Sequence, residues 1–497
     1  MQRQGSLYFI VIGVFLLMIS GGFLSEGLSR VGMDNAVVSQ RMAEGFEDFW
    51  LPSLSSPGHP DRMNYLPLGY WIESQWYNLF GSNSFMAEKV YSVLTYIIIA
   101  ALMIWIWYLM GMPKRTGWLP LVCLITIPIV SWSATNNLLE STMTMFILLS
   151  VAFLLMAERA ATIRMLRIAV SKPASIYTIG RVGWVILAAL AMELAFMVKG
   201  FSGLFPIFFP FIYWLLVRRV RVVFPILSTV LVLLVWIVTL FVAFLLSPDI
   251  YNHLYNYVHG QMIGGLLHVQ TVASRFYIVY VLVVQMIVPL MILVIISLMR
   301  IRRNPFYRFI FYWRNDKLTE IQKGQSKTGW AMFVLGLSGV LPIMLGLKQQ
   351  EFYIVPTLPF FALSMGCLLY YLLEDWLQNI NKVANGVLIA LALLLFGSGL
   401  IMNVSSLHKI NSNEALLSDM KMILPQLRQG ETISVSDEVM QNTEAAEYFY
   451  RYKQVLFDSL PGQNHYLSMY APAELEMYED LHLPTQTYKM YEIITKE

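Results

Sequence analysis

The chain has 497 residues, of which 57% are hydrophobic and only 13% charged, and its formal charge is +3. A soluble domain carries about a quarter charged residues, so this composition excludes an ordinary globular enzyme and specifies an integral membrane protein. It also argues against a nucleic-acid-binding surface, because the positive residues are dispersed by segment rather than pooled in one patch.

Eleven apolar stretches of spanning length follow one another: 7–24, 90–111, 117–134, 138–157, 182–198, 203–217, 222–246, 276–299, 329–346, 354–373 and 385–403. Several are short for a hydrocarbon core of about 30 Å, so their ends are loosely defined. The first has a single Arg before it and no A-x-A site after it, which reads as a retained span rather than a signal peptide. The connection 25–88 holds two amphipathic stretches, Asp34–Gly45 and Leu68–Phe80, rich in the aromatic residues that suit helices lying among lipid headgroups. Between them Leu51–Arg62, with its Pro, Ser and Gly, reads as loop.

With the N-terminus inside, twenty Lys and Arg fall on inside connections and seven on outside ones: Arg30, Arg41, Arg62, Lys89, Lys199, Arg275 and Lys348. The positive-inside rule fixes that orientation. An odd number of spans then puts everything beyond residue 403 outside. In this tail Glu414–Arg428 and Gln441–Tyr452 have helical spacing, while Thr432–Ser436 and His465–Met469 read as strands. Cys123 and Cys367 lie within spans and read as small buried apolar residues. The expected fold is an all-α polytopic membrane protein of about eleven transmembrane helices, with interfacial helices in the first outside loop, plus a small C-terminal α/β domain. Residues 1–403 form the membrane domain and 404–497 the extracytoplasmic one.

The notable ionisable residues, Asp34, Glu140, Lys199 and Lys348, all fall at the outward ends of helices. A transferase on that side meets no nucleotide-activated substrate and must draw on a lipid-carried donor. A polyprenyl-phosphate sugar has its anomeric carbon already activated. The enzyme then needs a base for the acceptor proton and cations for the departing phosphate. Asp34 is the candidate base; Lys199, Lys348, Arg62 and Arg275 are the available cations. Each has a plainer reading beside it. Asp34 could cap its helix, the lysines could snorkel to the interface, Glu140 could cap a helix or pair with a lysine, and the arginines could meet headgroups. His59, His253, His259 and His268 are outward too, but their spacing matches no zinc pattern. No cofactor is expected, although the outward carboxylates leave room for a divalent cation.

Six blocks in order resemble the C superfamily of membrane glycosyltransferases (GT-C), in the branch of the aminoarabinose–lipid A transferases and protein O-mannosyltransferases. They are Asp34-Asn35 with Trp50-Leu51-Pro52, Leu66 to Trp71, Leu79-Phe80-Gly81, Glu140 with Thr144 and Phe146, Ala195-Phe196 with Lys199-Gly200, and Lys348 ahead of Tyr353, Pro356 and Pro359. His268 stands where the family usually has a histidine. Two departures are plain: Asn35 replaces a Glu, and Tyr65-Leu66 occupy the place of a lysine near the family's reaction centre.

The resemblance implies inverting sugar transfer from a polyprenyl-phosphate donor to an envelope acceptor: a lipid A-like glycolipid, a glycan or a protein. The site would lie on the outer side of a bacterial inner membrane. Asp34 and Glu140 would be catalytic, Lys199, Lys348, Arg62 and Arg275 would bind the donor phosphate, and Tyr65, Tyr70, Trp71, His268 and Tyr353 would contact substrate. The rival classes are a transporter or flippase of lipid-linked sugars and a non-catalytic relative. Transporters place their charges near the bilayer midplane, in repeated halves; here they lie at one edge.

Overall fold

The computed structural model describes residues 5–50, 52, 66–81, 86–168, 179–217, 221–246, 249–267, 269–303, 320–460, 463–469, 485–487 and 491–495. The chain runs through α1 (Gly5–Met18), α2 (Arg30–Ala43), α3 (Leu68–Phe80), α4 (Met86–Leu109), α5 (Trp118–Ile125), α6 (Pro128–Ser133), α7 (Leu139–Ile168), α8 (Ile179–Lys199), α9 (Phe209–Val217) and α10 (Val223–Leu246). Short helices α11 (Asp249–Asn256) and α12 (Gly264–Leu267) precede α13 (Tyr277–Gln285), α14 (Ile287–Arg303), α15 (Glu320–Val340), α16 (Leu358–Gln378) and α17 (Lys382–Ser405).

All eleven apolar stretches fall on helices. Among the described residues seven helical segments are long and apolar enough to cross a membrane, or eight if α13 and α14, bent by 48°, form one span. One segment, Gly180–Val217, carries two of the stretches. The 117–134 stretch is divided between α5 and α6, with Pro128 at the start of the second. Proline lacks the N–H that would continue the helical ladder, so it suits a first turn and breaks an interior. The main core runs along α4, α7, α8, α15 and α16, where Ile99, Ile147, Val151, Ala188, Leu335 and Leu363 are fully covered.

Helices α1 and α17 pair closely. A Cβ on Gly13 would lie 2.9 Å from Leu395 Cβ, and one on Gly399 would lie 2.8 Å from Leu16 Cβ. Small residues let the backbones approach where lipid offers no hydrophobic drive. Asn403 Nδ2 then donates to Leu16 O at 2.8 Å. This pairing brings the exits of α1 and α17 together, and Glu26 forms a parallel bridge with Ile410. The connection after α1 and the start of the tail are thus tied together.

The tail holds α18 (Glu414–Ile423), α19 (Asp437–Gln441) and α20 (Thr443–Lys453) with strands β1 (Thr432–Val435), β2 (Leu456–Asp458), β3 (His465–Met469), β4 (Thr485–Thr487) and β5 (Tyr491–Thr495). Their sheet has the order β2-β1-β3-β5-β4. The β1 pairings are parallel and the β5 pairings antiparallel. Its core is shared: Leu28, Met33, Ala36 and Val37, from α2 and the turn before it, are buried with Leu417, Ile433, Tyr448 and Phe457 of the tail. A buried ion pair joins the tail to α4 as well, Arg451 Nη2 to Glu88 Oε1 at 2.5 Å. Removing one partner of such a pair leaves an uncompensated buried charge, at a cost of about 3–5 kcal/mol.

Candidate active site

Helix α2 starts four residues earlier than its sequence pattern suggests. Its N-cap is Ser29, whose side chain accepts from Gly32 N. Asp34 therefore lies in the second turn and is not the cap; the flanking Ser29 oxygen takes that role because it reaches the free N–H groups of the first turn. One face of α2 packs on the membrane part. Asn35 Nδ2 donates to Asn137 O at 3.0 Å, and Ser39 Oγ donates to Glu73 at 2.7 Å. The other face meets the tail, and there the Asp34 carboxyl lies against Glu447 of α20. Burial raises Asp34 above the usual carboxylate range; Glu447 and the Arg30 charge pull the other way.

Glu140 opens α7 and Lys199 closes α8, and they meet as a buried ion pair at 2.5 Å. The Lys-Gly sequence explains the second position. Gly200 has φ +82°, and a Cβ there would fall 1.7 Å from Tyr257 Oη, so only glycine lets the chain leave α8 directly after the lysine. Lys348 arrives from the connection between α15 and α16. Its neighbour Gln349 is buried and donates to Arg275 O, Ile343 O and Gly346 O, while accepting from Ile278 N. That anchor fixes the loop. Burial, and after it the Lys199 charge, lower the Lys348 ammonium from its ordinary range. Two cations from separate elements are thus near enough to feel one another. The rings of Phe352 and Tyr353 lie 5.3 and 5.7 Å from Lys199 Nζ, within cation–π reach.

A cavity of about 440 Å³ adjoins this cluster, between Arg30 and Val31 of α2, Ile129 and Trp132 of α6, and Gln350 and Phe352. Phe352 is therefore both a wall of the cavity and a neighbour of Lys199. Arg30 and Val31 precede Asp34 by about one helical turn.

The other sequence candidates are placed unevenly. Tyr70, expected at the substrate, is instead wholly buried in the main core, because its face of α3 packs inward. Trp71, one position round the helix, is 42% exposed and meets Phe49 edge-on. Arg275 is exposed and its backbone carbonyl holds Gln349. Arg62, Tyr65 and His268 lie outside the described residues. Among the described residues no group of three or more metal-ligating side chains occurs.

Sequence reasoning missed Glu73. Only 1% exposed, it accepts from Ser39, Tyr77 at 2.7 Å and Asn137 at 2.6 Å. It is the sole charged residue of Leu68–Phe80, and that isolation was the available signal. Burial pushes its carboxyl up to about 8 despite donors that pull it down. The folded protein thus keeps a proton that the unfolded chain releases near 4.5. Its contribution is complete below that value and is lost as the pH rises through about 8. Glu73→Gln mimics the neutral acid, so melting curves of the detergent-purified variant at pH 5 and 8 should differ less than those of the parent. An equal or larger difference in the variant would place the proton elsewhere.

Comparison with known proteins now bears on the geometry. Residues 63–263 match the family model described as dolichyl-phosphate-mannose-protein mannosyltransferase. No curated protein sequence matches the chain. Among solved structures, ArnT from Cupriavidus metallidurans bound to undecaprenyl phosphate superposes with a TM-score of 0.62 at 14% identity, covering 98% of this chain and 97% of that one. The chain has the fold of that ArnT. The apo form of the same ArnT gives a TM-score of 0.59 at 15% identity over the same shares of both chains. The Archaeoglobus fulgidus oligosaccharyltransferase tethered to an acceptor peptide gives 0.51 at 10% identity, covering 93% of this chain and 64% of that one. The match to ArnT extends through the tail as well as the spans.

Proposed function

We propose that this chain is a membrane glycosyltransferase that moves one sugar from a polyprenyl-phosphate donor to an acceptor hydroxyl on the outer side of a bacterial inner membrane. The observation that carries the reading is the convergence of Lys199 and Lys348 from separate elements, with Lys199 held by Glu140. Glu140 offsets the charge of Lys199, and an anion that reaches both ammonium groups would be attracted by the pair. The donor phosphate is such an anion, and the ArnT of similar fold binds undecaprenyl phosphate.

The acceptor oxygen attacks the anomeric carbon, the carbon–oxygen bond to phosphate breaks, and the configuration inverts. The bonding electrons go to the phosphate, whose growing charge Lys199 and Lys348 stabilise. The acceptor proton goes to Asp34, about one helical turn beyond the cavity residues Arg30 and Val31. Glu140 fixes the position of Lys199 rather than moving a proton. Arg62, Arg275, Tyr65, His268 and Tyr353 remain candidates for donor or acceptor contacts, and Trp71 for contact at the membrane surface.

Mass spectrometry of envelope lipids and glycans tests the reading in cells with the gene, without it, and with Lys348→Ala in its place. One envelope component should lose the mass of a single sugar residue in both altered strains. Identical envelope profiles in all three would reject the transferase reading.

A further inference from the structure

Helix α20 of the tail is clamped along α2. Leu28 N donates to Tyr448 Oη at 3.0 Å, Arg30 Nη2 to Thr443 Oγ1 at 3.0 Å, and Arg451 to Glu88 at 2.6 Å and Gln40 at 3.2 Å. In the middle of this clamp the side chains of Asp34 and Glu447 are within hydrogen-bond reach of one another. Asp34 Oδ1 and Glu447 Oε2 are both buried, and neither receives a hydrogen bond from a donor among the described residues. Two buried carboxylates face to face repel, and an unsatisfied buried oxygen is costly. One proton placed between them removes both penalties, as in other carboxyl dyads.

We propose that Glu447 holds that proton and donates it as a hydrogen bond to Asp34, so that the tail supplies a positioning residue for the catalytic carboxylate. The inference deepens the reading of Asp34 as the base and rests on it for its functional consequence. The other charged groups facing the pair are Arg30 on α2, which favours ionisation of both, and Glu444 on α20, which opposes that of Glu447. Burial and the neighbouring Asp34 push Glu447 up to about 11, whereas the hydrogen bond from Glu447 pulls Asp34 down. With the proton on Glu447, Asp34 is the carboxylate that accepts and Glu447 the neutral donor. The donor offsets part of the rise that burial imposes on Asp34 and aims its carboxylate.

The test has a direct arm and a kinetic one, both on the full-length protein. Difference infrared spectra of the detergent-purified protein at pH 7, parent minus variant, should show a protonated-carboxyl component beside that of Glu73 that is lost in Glu447→Gln and kept in Asp34→Asn. A spectrum unchanged by Glu447→Gln would overturn the proposal. The kinetic arm follows sugar transfer from the lipid-linked sugar pool of the host membrane as a function of pH. Glu447→Leu removes the donor but keeps the burial, so the acidic limb should move to higher pH by about one to two units. Glu447→Gln retains an N–H donor, and its limb should stay near that of the parent. A rate lowered equally at all pH values in Glu447→Leu, with the limb unmoved, would mean a merely structural contact and overturn the proposal. Undiminished transfer by Asp34→Asn sinks the base itself, and the infrared arm still decides where the proton lies.

Discussion

Asp34→Asn is expected to insert and fold normally while transferring sugar at least roughly a hundredfold more slowly. An acceptor hydroxyl is a poor nucleophile until its proton leaves, and a carboxylate within hydrogen-bond reach accelerates that step by roughly 10²–10⁴-fold. Asparagine keeps the shape of Asp34 and still accepts a hydrogen bond from Glu447, so the contact between α2 and α20 survives. Ser29 caps the helix, so the substitution removes no cap. The measurement is transfer by purified protein alongside its melting temperature. Wild-type turnover in a normally melting variant would move the search for the base to Glu73 and Glu140.

Lys348→Ala is expected to reduce donor use by a factor on the order of 10²–10³, the usual effect of deleting one preorganised electrostatic stabiliser. It is a cleaner probe than Lys199→Ala, because Lys199 is ion-paired to Glu140 with both side chains buried, and its removal would also leave that carboxylate uncompensated. The lowered Lys348 ammonium gives a second reading. It binds an anion only while protonated, so affinity for undecaprenyl phosphate should weaken as the pH rises, beginning below the range of an ordinary lysine. Binding that is flat with pH and indifferent to Lys348→Ala would leave this lysine as an interfacial anchor.

Much of the architecture is legible without coordinates. Hydropathy locates every helical stretch of the membrane part, because lipid demands long apolar segments with internally satisfied backbones. The amphipathic pattern of Leu68–Phe80 matches α3 to the residue, and the alternation at Thr432–Ser436 matches β1 within one residue. Strands β2 and β4 escape a sequence reading because three residues are too short to display a period, and β5 because its adjacent Ile493 and Ile494 break the alternation. Lys199-Gly200 is legible as a motif, but the reason for its glycine, the Tyr257 hydroxyl against φ +82°, depends on a residue 57 positions away.

The sequence by itself determined what the composition of each segment controls: membrane insertion, the helical stretches, and which ionisable residues stand at their ends. The tertiary structure decided which of those residues meet. Lys199 joins Glu140 only because α7 and α8 pack along their length, and Tyr70 is lost to the core because α3 turns that face inward. Asp34 faces Glu447 across 413 positions of chain because α1 and α17 approach at Gly13 and Gly399 and deliver the tail onto α2. Contacts of that separation leave no local pattern. They follow from packing, which a linear sequence does not display.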